Sequence, residues 1–166
     1  MKYYKILNEE ENHNGFQYKD GLNIDSVPFQ PKGSCVRGGI YFASKDILAF
    51  LDYGSWIREV TIPRDARWVK DPGDGPEKFR ADRVILGRRR KITAKVVKEL
   101  IEEGANIHAN RDYAFRYASD NGHTETVKVL LKHGADVHAY DDEALKWASN
   151  NGHTETVRLL KEYMKK

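Results

Sequence analysis

The sequence predicts an α+β protein, in which a small N-terminal α+β domain over residues 1–90 caps a short stack of paired helices over residues 91–166. Three observations lead there. A block of about 20 residues recurs at a fixed offset, the mark of a repeat architecture. The two halves differ in charge: residues 1–90 carry 16 Lys/Arg against 13 Asp/Glu, while residues 91–166 carry 12 against 12, so the whole net charge of +3 lies in the first half. Short apolar segments of strand type, separated by turn residues, occur only in that first half.

The repeat is read by self-comparison. Asp112-Tyr-Ala-Phe-Arg-Tyr-Ala-Ser-Asp-Asn-Gly-His-Thr-Glu-Thr-Val returns as Asp142-Glu-Ala-Leu-Lys-Trp-Ala-Ser-Asn-Asn-Gly-His-Thr-Glu-Thr-Val, an offset of 30. Gly104-Ala-Asn-Ile-His precedes Gly134-Ala-Asp-Val-His by the same 30. Each unit reads as two helices. The first, near 112–120, buries Phe115 and Ala118 on one face and breaks at Asn121-Gly122, where glycine accepts the left-handed backbone of a helix end. Thr124 is placed to cap the second, whose Val127, Leu130 and Leu131 form an apolar stripe. Such a pair cannot bury its own stripe and must stack on a neighbour. Residues 91–109 supply half a repeat, 110–139 a complete one and 140–166 a terminal one. In the terminal unit Lys161 replaces Leu131, the polar outer face expected where an array stops.

These words resemble the ankyrin repeat, through Ala-x-x-x-Gly-His, Val-x-x-Leu-Leu and Gly-Ala-Asp-Val. Two departures stand out. The period is 30, so the exposed hairpin between units is expected to be short. The Thr-Pro-Leu-His opening of the family's first helix is replaced by Tyr113-Ala-Phe-Arg116 and Glu143-Ala-Leu-Lys146. Both departures resemble the ankyrin arrays of giant DNA viruses of amoebae (mimivirus-like).

In the first ninety residues, Tyr3–Leu7, Gly39–Ala43, Ile57–Ile62 and Ala81–Leu86 are predicted strands, with a polar loop over Asn8–Gly15. Ser44 is predicted to cap a short helix over Lys45–Tyr53, and Asp71–Pro76 is a turn cluster. Gly15-Phe-Gln-Tyr-Lys-Asp-Gly-Leu22, Gly38-Gly-Ile-Tyr-Phe42, Arg58-Glu-Val60 and Arg80-Ala-Asp-Arg-Val-Ile-Leu-Gly87 resemble the module that precedes the arrays of those viral proteins. The resemblance implies a domain layout and no activity.

No apolar run approaches the roughly 18 residues of a membrane span, and the N-terminus lacks the apolar core of a secretory signal, so an intracellular protein is expected. One cysteine, Cys35, builds neither a disulfide nor a structural zinc site, and no histidines or carboxylates show ligand spacing, so no metal and no cofactor is expected. Gly38-Gly39 is read as a backbone turn. His108 and His138 are read as loop structure, and His123 and His153 as bonding to neighbouring backbone. Arg88, Arg89, Arg90 and Lys91 form a basic patch, either a solvated linker near Glu99, Glu102 and Glu103 or a nuclear address.

The leading function is a non-enzymatic protein-interaction module binding a host or viral protein, a monomer or weak dimer in the host cytoplasm. Its predicted contact face comprises Arg111, Tyr113, Arg116, Ser119, Tyr140, Glu143, Lys146 and Ser149, of which Tyr113, Arg116 and Ser119 are expected to face solvent. Replacing Tyr113, Arg116 and Tyr140 by Ala is accordingly expected to leave melting nearly unchanged. Two alternatives stay open. The Gly39–Phe42 strand, short helix and Tyr53 resemble in outline mono-ADP-ribosyltransferase-like cores, although the late strand offers Asp82 in place of the required glutamate and Glu59 is the remaining strand carboxylate. A nucleic-acid adaptor working through Arg88–Lys91 is the other, against which the small net charge speaks.

Residues 88–93 hold no flexible run, and Val96, Val97, Leu100 and Ile101 need a neighbour. The two regions are therefore expected to melt in one calorimetric transition; two separate transitions, or ready proteolysis near Arg90, would contradict this.

Overall fold

The computed structural model describes residues 2–165. Two compact units divide it: one holds the chain up to Ile47 together with Tyr53–Ile92, the other Leu48–Asp52 together with Thr93 onward.

The first unit is built on one antiparallel sheet. In chain order its strands are β1 (Tyr3–Leu7), β4 (Gly21–Ile24), β5 (Ile40–Ala43), β6 (Trp56–Thr61), β7 (Trp68–Lys70), β8 (Lys78–Ala81), β9 (Arg83–Leu86) and β10 (Arg90–Lys91), and β2 (Asn12–His13) pairs with β3 (Phe16–Gln17) as a separate hairpin. Across the sheet the order is β4-β9-β6-β1-β5-β8-β7, with β10 also on β6. β1 lies at the centre, Tyr4 opposite both Glu59 and Ala43. Leu7, Tyr18, Ile40, Phe42, Val60, Phe79, Val84 and Leu86 form the core, with the Phe42 and Phe79 rings stacked 5.8 Å apart and Tyr3 edge-on to both.

The sheet is wider than the four predicted strands. The polar loop predicted over Asn8–Gly15 contains β2, because Asn12 Oδ1 and Asn8 Oδ1 accept main-chain bonds that close the hairpin. The predicted strand Ala81–Leu86 is split: β8 pairs with β5, and β9 with β4 and β6. Asp82 breaks it, its carboxylate accepting from the Arg67 backbone N–H and Nε at 3.1 Å each while its own N–H donates to Arg67. The helix predicted over Lys45–Tyr53 is a 3₁₀ helix at Ile47–Tyr53. Ser44 does not cap it; its hydroxyl donates to the Lys2 carbonyl at 2.8 Å. The turn cluster does connect β7 and β8, and Asp71 bonds the Gly73 N–H there. Gly38 turns the chain with φ +88°, and a Cβ there would stand 2.1 Å from the Pro28 carbonyl oxygen.

Buried charge fixes this sheet as well. Arg58 on β6 is 3% exposed and forks both Glu11 oxygens at 2.7 and 2.8 Å, with further bonds to Asp20 and the Gly87 carbonyl. Arg80, fully buried, meets Asp71 at 3.0 Å, and its remaining donors reach the Gln30 and Lys32 carbonyls and the Tyr41 hydroxyl. Removing one partner of such a pair strands a charge, which costs about 3–5 kcal/mol.

Lys5 on β1 is buried, and among the described residues no acid pairs with it. Its ammonium donates to the Tyr41 carbonyl at 2.8 Å and lies 4.7 Å from the Tyr18 ring centre. Burial brings its pKa down to about 7. The unfolded chain keeps the ordinary value of roughly 10.4, so between these two values it binds more protons than the folded chain, and stability rises with pH. The cost is carried in full below pH 7 and fades as pH rises. Lys5→Met is expected to stabilise the fold by about 1–3 kcal/mol at neutral pH and to flatten the rise between pH 7 and pH 9, read by denaturant melts across that range.

Candidate functional site: the first-helix face of the stack

The second unit is helical. α1 (Ala94–Glu102) is capped by Thr93, whose hydroxyl accepts from the Val96 N–H. Two pairs follow: α2 (Ala109–Asp120) with α3 (Thr124–Lys132), and α4 (Ala139–Asn150) with α5 (Thr154–Tyr163). Phe115, Ala118, Val127, Leu130 and Leu131 are buried, as the apolar stripe requires.

The connections between units are not hairpins. Asn110, Arg111 and Asp112 all have φ between +52° and +56°, and Tyr140, Asp141 and Asp142 between +57° and +60°. Three successive left-handed residues carry the chain into each first helix, whose regular turns begin at Tyr113 and Glu143. Asn and Asp tolerate this backbone, whereas Arg111 and Tyr140 are strained in it. The turn is therefore held from outside. His108 Nδ1 lies 3.1 Å from the Asp112 carboxylate and His138 Nδ1 lies 2.7 Å from that of Asp142. Asp112, itself buried, also accepts from the Asp136 N–H of the next loop. This accounts for both loop histidines.

Arg116 holds the turn from the helix side. Its Nε donates to the Arg111 carbonyl and its Nη2 to the Asn110 carbonyl, both at 3.1 Å. Its Nη1 bonds Glu143 of the following unit. The guanidinium also sits 4.7 Å from the Tyr140 ring centre, 5.4 Å from Tyr113 and 5.9 Å from Trp147. One side chain thus closes its own turn and fastens the next repeat.

That geometry corrects two of the solvent-facing expectations. Arg116 is 6% exposed and Ser119 is fully buried, its hydroxyl donating to the Phe115 carbonyl at 2.9 Å. Both sit where the next unit stacks, so neither is available as a surface anchor. The expectation that Arg116 could be replaced without loss of stability falls with its burial. Tyr113 is half-buried and stacked on Tyr117; burial and the neighbouring Asp52 carboxylate push its hydroxyl pKa up. Glu143 is half-buried on Arg116. Arg111, Tyr140, Lys146 and Ser149 remain exposed. The Arg111 guanidinium lies 5.3 Å from the Tyr140 ring centre, so the tips of consecutive loops touch.

The seam continues along the second helices. Asn151 Nδ2 and His153 Nε2 bond the Asp120 carbonyl at 3.0 and 2.8 Å, and Thr124 meets Thr156 at 2.7 Å. A Cβ on Gly122 would stand 2.5 Å from the His153 ring, so the glycine is required for stacking as well as for its φ of +65°. His153 does bond neighbouring backbone, as its repeat position predicted.

The basic run is only partly the solvated linker expected. Arg90 and Lys91 form β10 against Ile57 and Trp56. Arg89 lies 3.7 Å over the Trp56 ring and pairs with Glu9 and Glu11 at 3.4 and 3.7 Å; the expected acids were Glu99, Glu102 and Glu103. Glu102 is paired with Lys98 instead. Sequence gave no signal for this, since Glu9 and Glu11 lie some eighty residues away and meet Arg89 only through the sheet.

Paired helices repeating every 30 residues and stacked on one another define a helical repeat protein. A family model described as ankyrin repeats (3 copies) matches residues 89–166. An ankyrin repeat protein of Acanthamoeba polyphaga mimivirus is 48% identical over 113 residues, which is 64% of this chain and 37% of the relative. An uncharacterized protein of the same virus is 41% identical over 127 residues, 74% of this chain and 92% of the relative. A second ankyrin repeat protein of that virus is 38% identical over 130 residues and is covered to 63%. The chain belongs to this family of giant-virus ankyrin repeat proteins, and it spans little more than a third of the length of the first relative. No helix among the described residues is long and apolar enough to cross a membrane.

Arg116→Ala is expected to cost about 2–4 kcal/mol, since it leaves Glu143 and two turn carbonyls without their donor. Arg116→Lys keeps the charge but not the fork, and should recover only part of it. Arg111→Ala should stay within about 0.5 kcal/mol. Thermal melts of the three variants test the order.

Proposed function

We propose that the chain is a protein-binding module with no catalysis of its own, and that its partner, a host or viral protein, engages the face formed by the first helices and the loop tips. The observation that carries this is the pairing of exposed Arg111 with exposed Tyr140 on turns whose backbone is already fixed by Arg116 and Asp112. Tyr and Arg are the side chains that most often dominate interfaces, and anchors held in place before binding lose little entropy on contact. Lys146 and Ser149 extend the same exposed face.

The surroundings of the residues named for the alternatives support this reading. Asp82 is 6% exposed and its carboxylate is taken up by Arg67 and Arg83, the setting of a structural acid. Glu59 is exposed on β6, opposite Tyr4 of the central strand. Arg89, the centre of the basic run, is neutralised by two glutamates and stacked on Trp56, which leaves a narrow basic surface for a nucleic-acid backbone.

The double variant Arg111→Ala/Tyr140→Ala is expected to keep the wild-type melting midpoint and to lose roughly tenfold or more in affinity for a partner isolated by the wild-type chain from infected host cells, the loss of one anchor worth about 1.4 kcal/mol. Titration calorimetry with the purified partner measures it. Undiminished affinity would move the site off this face.

A further inference from the structure

The sheet of the first unit ends in β4 on one side and in β7 on the other. Among the described residues β4 has one partner strand, β9, with Leu22 opposite Ile85 and Ile24 opposite Arg83. The ladder shows which of its backbone groups that partner uses. The Asp25 N–H donates to the Asp82 carbonyl at 3.0 Å, and bonded positions alternate in an antiparallel pair, so Asn23 and Gly21 also turn their backbone groups to β9. On the far side of β9 the Gly87 N–H donates to the Glu59 carbonyl, which gives the same alternation independently. The N–H and C=O groups of Leu22 and Ile24 therefore point off the end of the sheet.

The side chains that accompany them are apolar. Leu22 is 47% exposed, Ile24 54% and Ile85, beside Leu22, 40%, all on one face. Asn23 turns the other way, is buried, and spends its amide on the Lys19 and Gly21 carbonyls. Sheet ends are ordinarily guarded by charge, proline or a bulge, because an open row of backbone groups templates another strand. β7 is guarded in this way. By the same alternation its outward positions are Trp68 and Lys70, and exposed Lys70 and Arg67 put charge there, paired to Glu77 and Asp82. β4 carries no charge and no proline.

We propose that the chain self-associates through β4, two copies pairing end strand to end strand in antiparallel register about a two-fold axis at Asn23. In that register Leu22 of each copy lies opposite Ile24 of the other, and each outward N–H of these residues meets an outward C=O of the second copy. Apolar side chains face apolar ones across the join, with Ile85 extending the strip, while both Asn23 side chains stay inside their own cores. Charge agrees with the register. At either end of the pairing Lys19 of one copy comes near Asp25 of the other, and like charges are kept apart. A two-fold contact uses both open ends at once and leaves no new edge beside it. So short a strip falls in the transient class of interfaces, below about 1,200 Å², and the dimer is correspondingly weak.

Sedimentation of the full chain from about 10 µM to about 1 mM tests this, with reductant present because Cys35 is free and exposed. The weight-average mass is expected to climb with concentration from 19.1 kDa toward twice that value. Over the same range hydrogen exchange should slow by about threefold or more at the Leu22 and Ile24 amides and stay constant at those of Trp68 and Lys70. Ile24→Lys should weaken association by about tenfold or more without moving the melting midpoint, since the side chain is exposed. Leu22→Thr, which keeps the strand preference, should weaken it in the same direction. Ile85→Lys stands one strand inside the join and should change it by less than about twofold. A monomer mass up to about 1 mM would overturn the proposal. So would association indifferent to Ile24→Lys, association lost as fully with Ile85→Lys (the sign of stacked faces), or association that leaves the two amides unprotected. The loop-tip face lies on other residues, so Arg111→Ala/Tyr140→Ala should leave self-association intact.

Discussion

The helical stack depends on one guanidinium. The 30-residue period leaves no room for a strand pair between units, so the chain reverses through three consecutive left-handed residues, a conformation that non-glycine residues resist by about 1–2 kcal/mol each. Within the turn Asp112 offsets part of that through His108. Arg116 adds to it by donating to two of the turn's carbonyls and using its third nitrogen on Glu143 of the next unit. The same bonds that make the turn tolerable make the stack continuous. A lysine could supply the charge but not two directed bonds to carbonyls and a third to a carboxylate.

This device stands in for the Thr-Pro-Leu-His opening that the sequence lacks. The role of tying loop to helix passes to Arg116 on one side and to the His108–Asp112 pair on the other, with Asp112 reaching forward to Asp136. In the terminal unit Lys146 takes the place of Arg116, yet the left-handed turn Tyr140–Asp142 is kept, with His138 on Asp142. This second helix pair thus shows fewer such constraints among the described residues than the one before it.

The strand-rich unit solves a different problem. Its central strand is buried along most of its length and carries Lys5, and the neighbouring strand sets Arg58 directly opposite. Two cations side by side would repel, but Arg58 is neutralised by Glu11 and Asp20 while burial lowers the affinity of Lys5 for its proton. With Arg80 and Asp71, buried charge specifies this sheet as firmly as Phe42 and Phe79 do.

The sequence by itself determined the repeat: its period, the register of its two helices, the buried Phe115, Ala118, Val127 and Leu130, the backbone role of His153 and the family. These follow from spacing along a single chain, where helix faces are fixed by 3.6 residues per turn. It also placed β1, β5, β6 and the turn after β7, because apolar alternation and turn residues are local signals. Only the tertiary structure decided the rest. Arg116 and Ser119 read as surface residues because the face they occupy is covered by the next unit, a contact that a helical period cannot reveal. Arg89 read as linker because its carboxylates and its tryptophan arrive from distant strands. The strand run 81–86 read as continuous because the kink at Asp82 is pulled by Arg67, fifteen residues away. Polar side chains take their partners from whatever the fold brings near, and so their fate was written in the packing and not in the spacing.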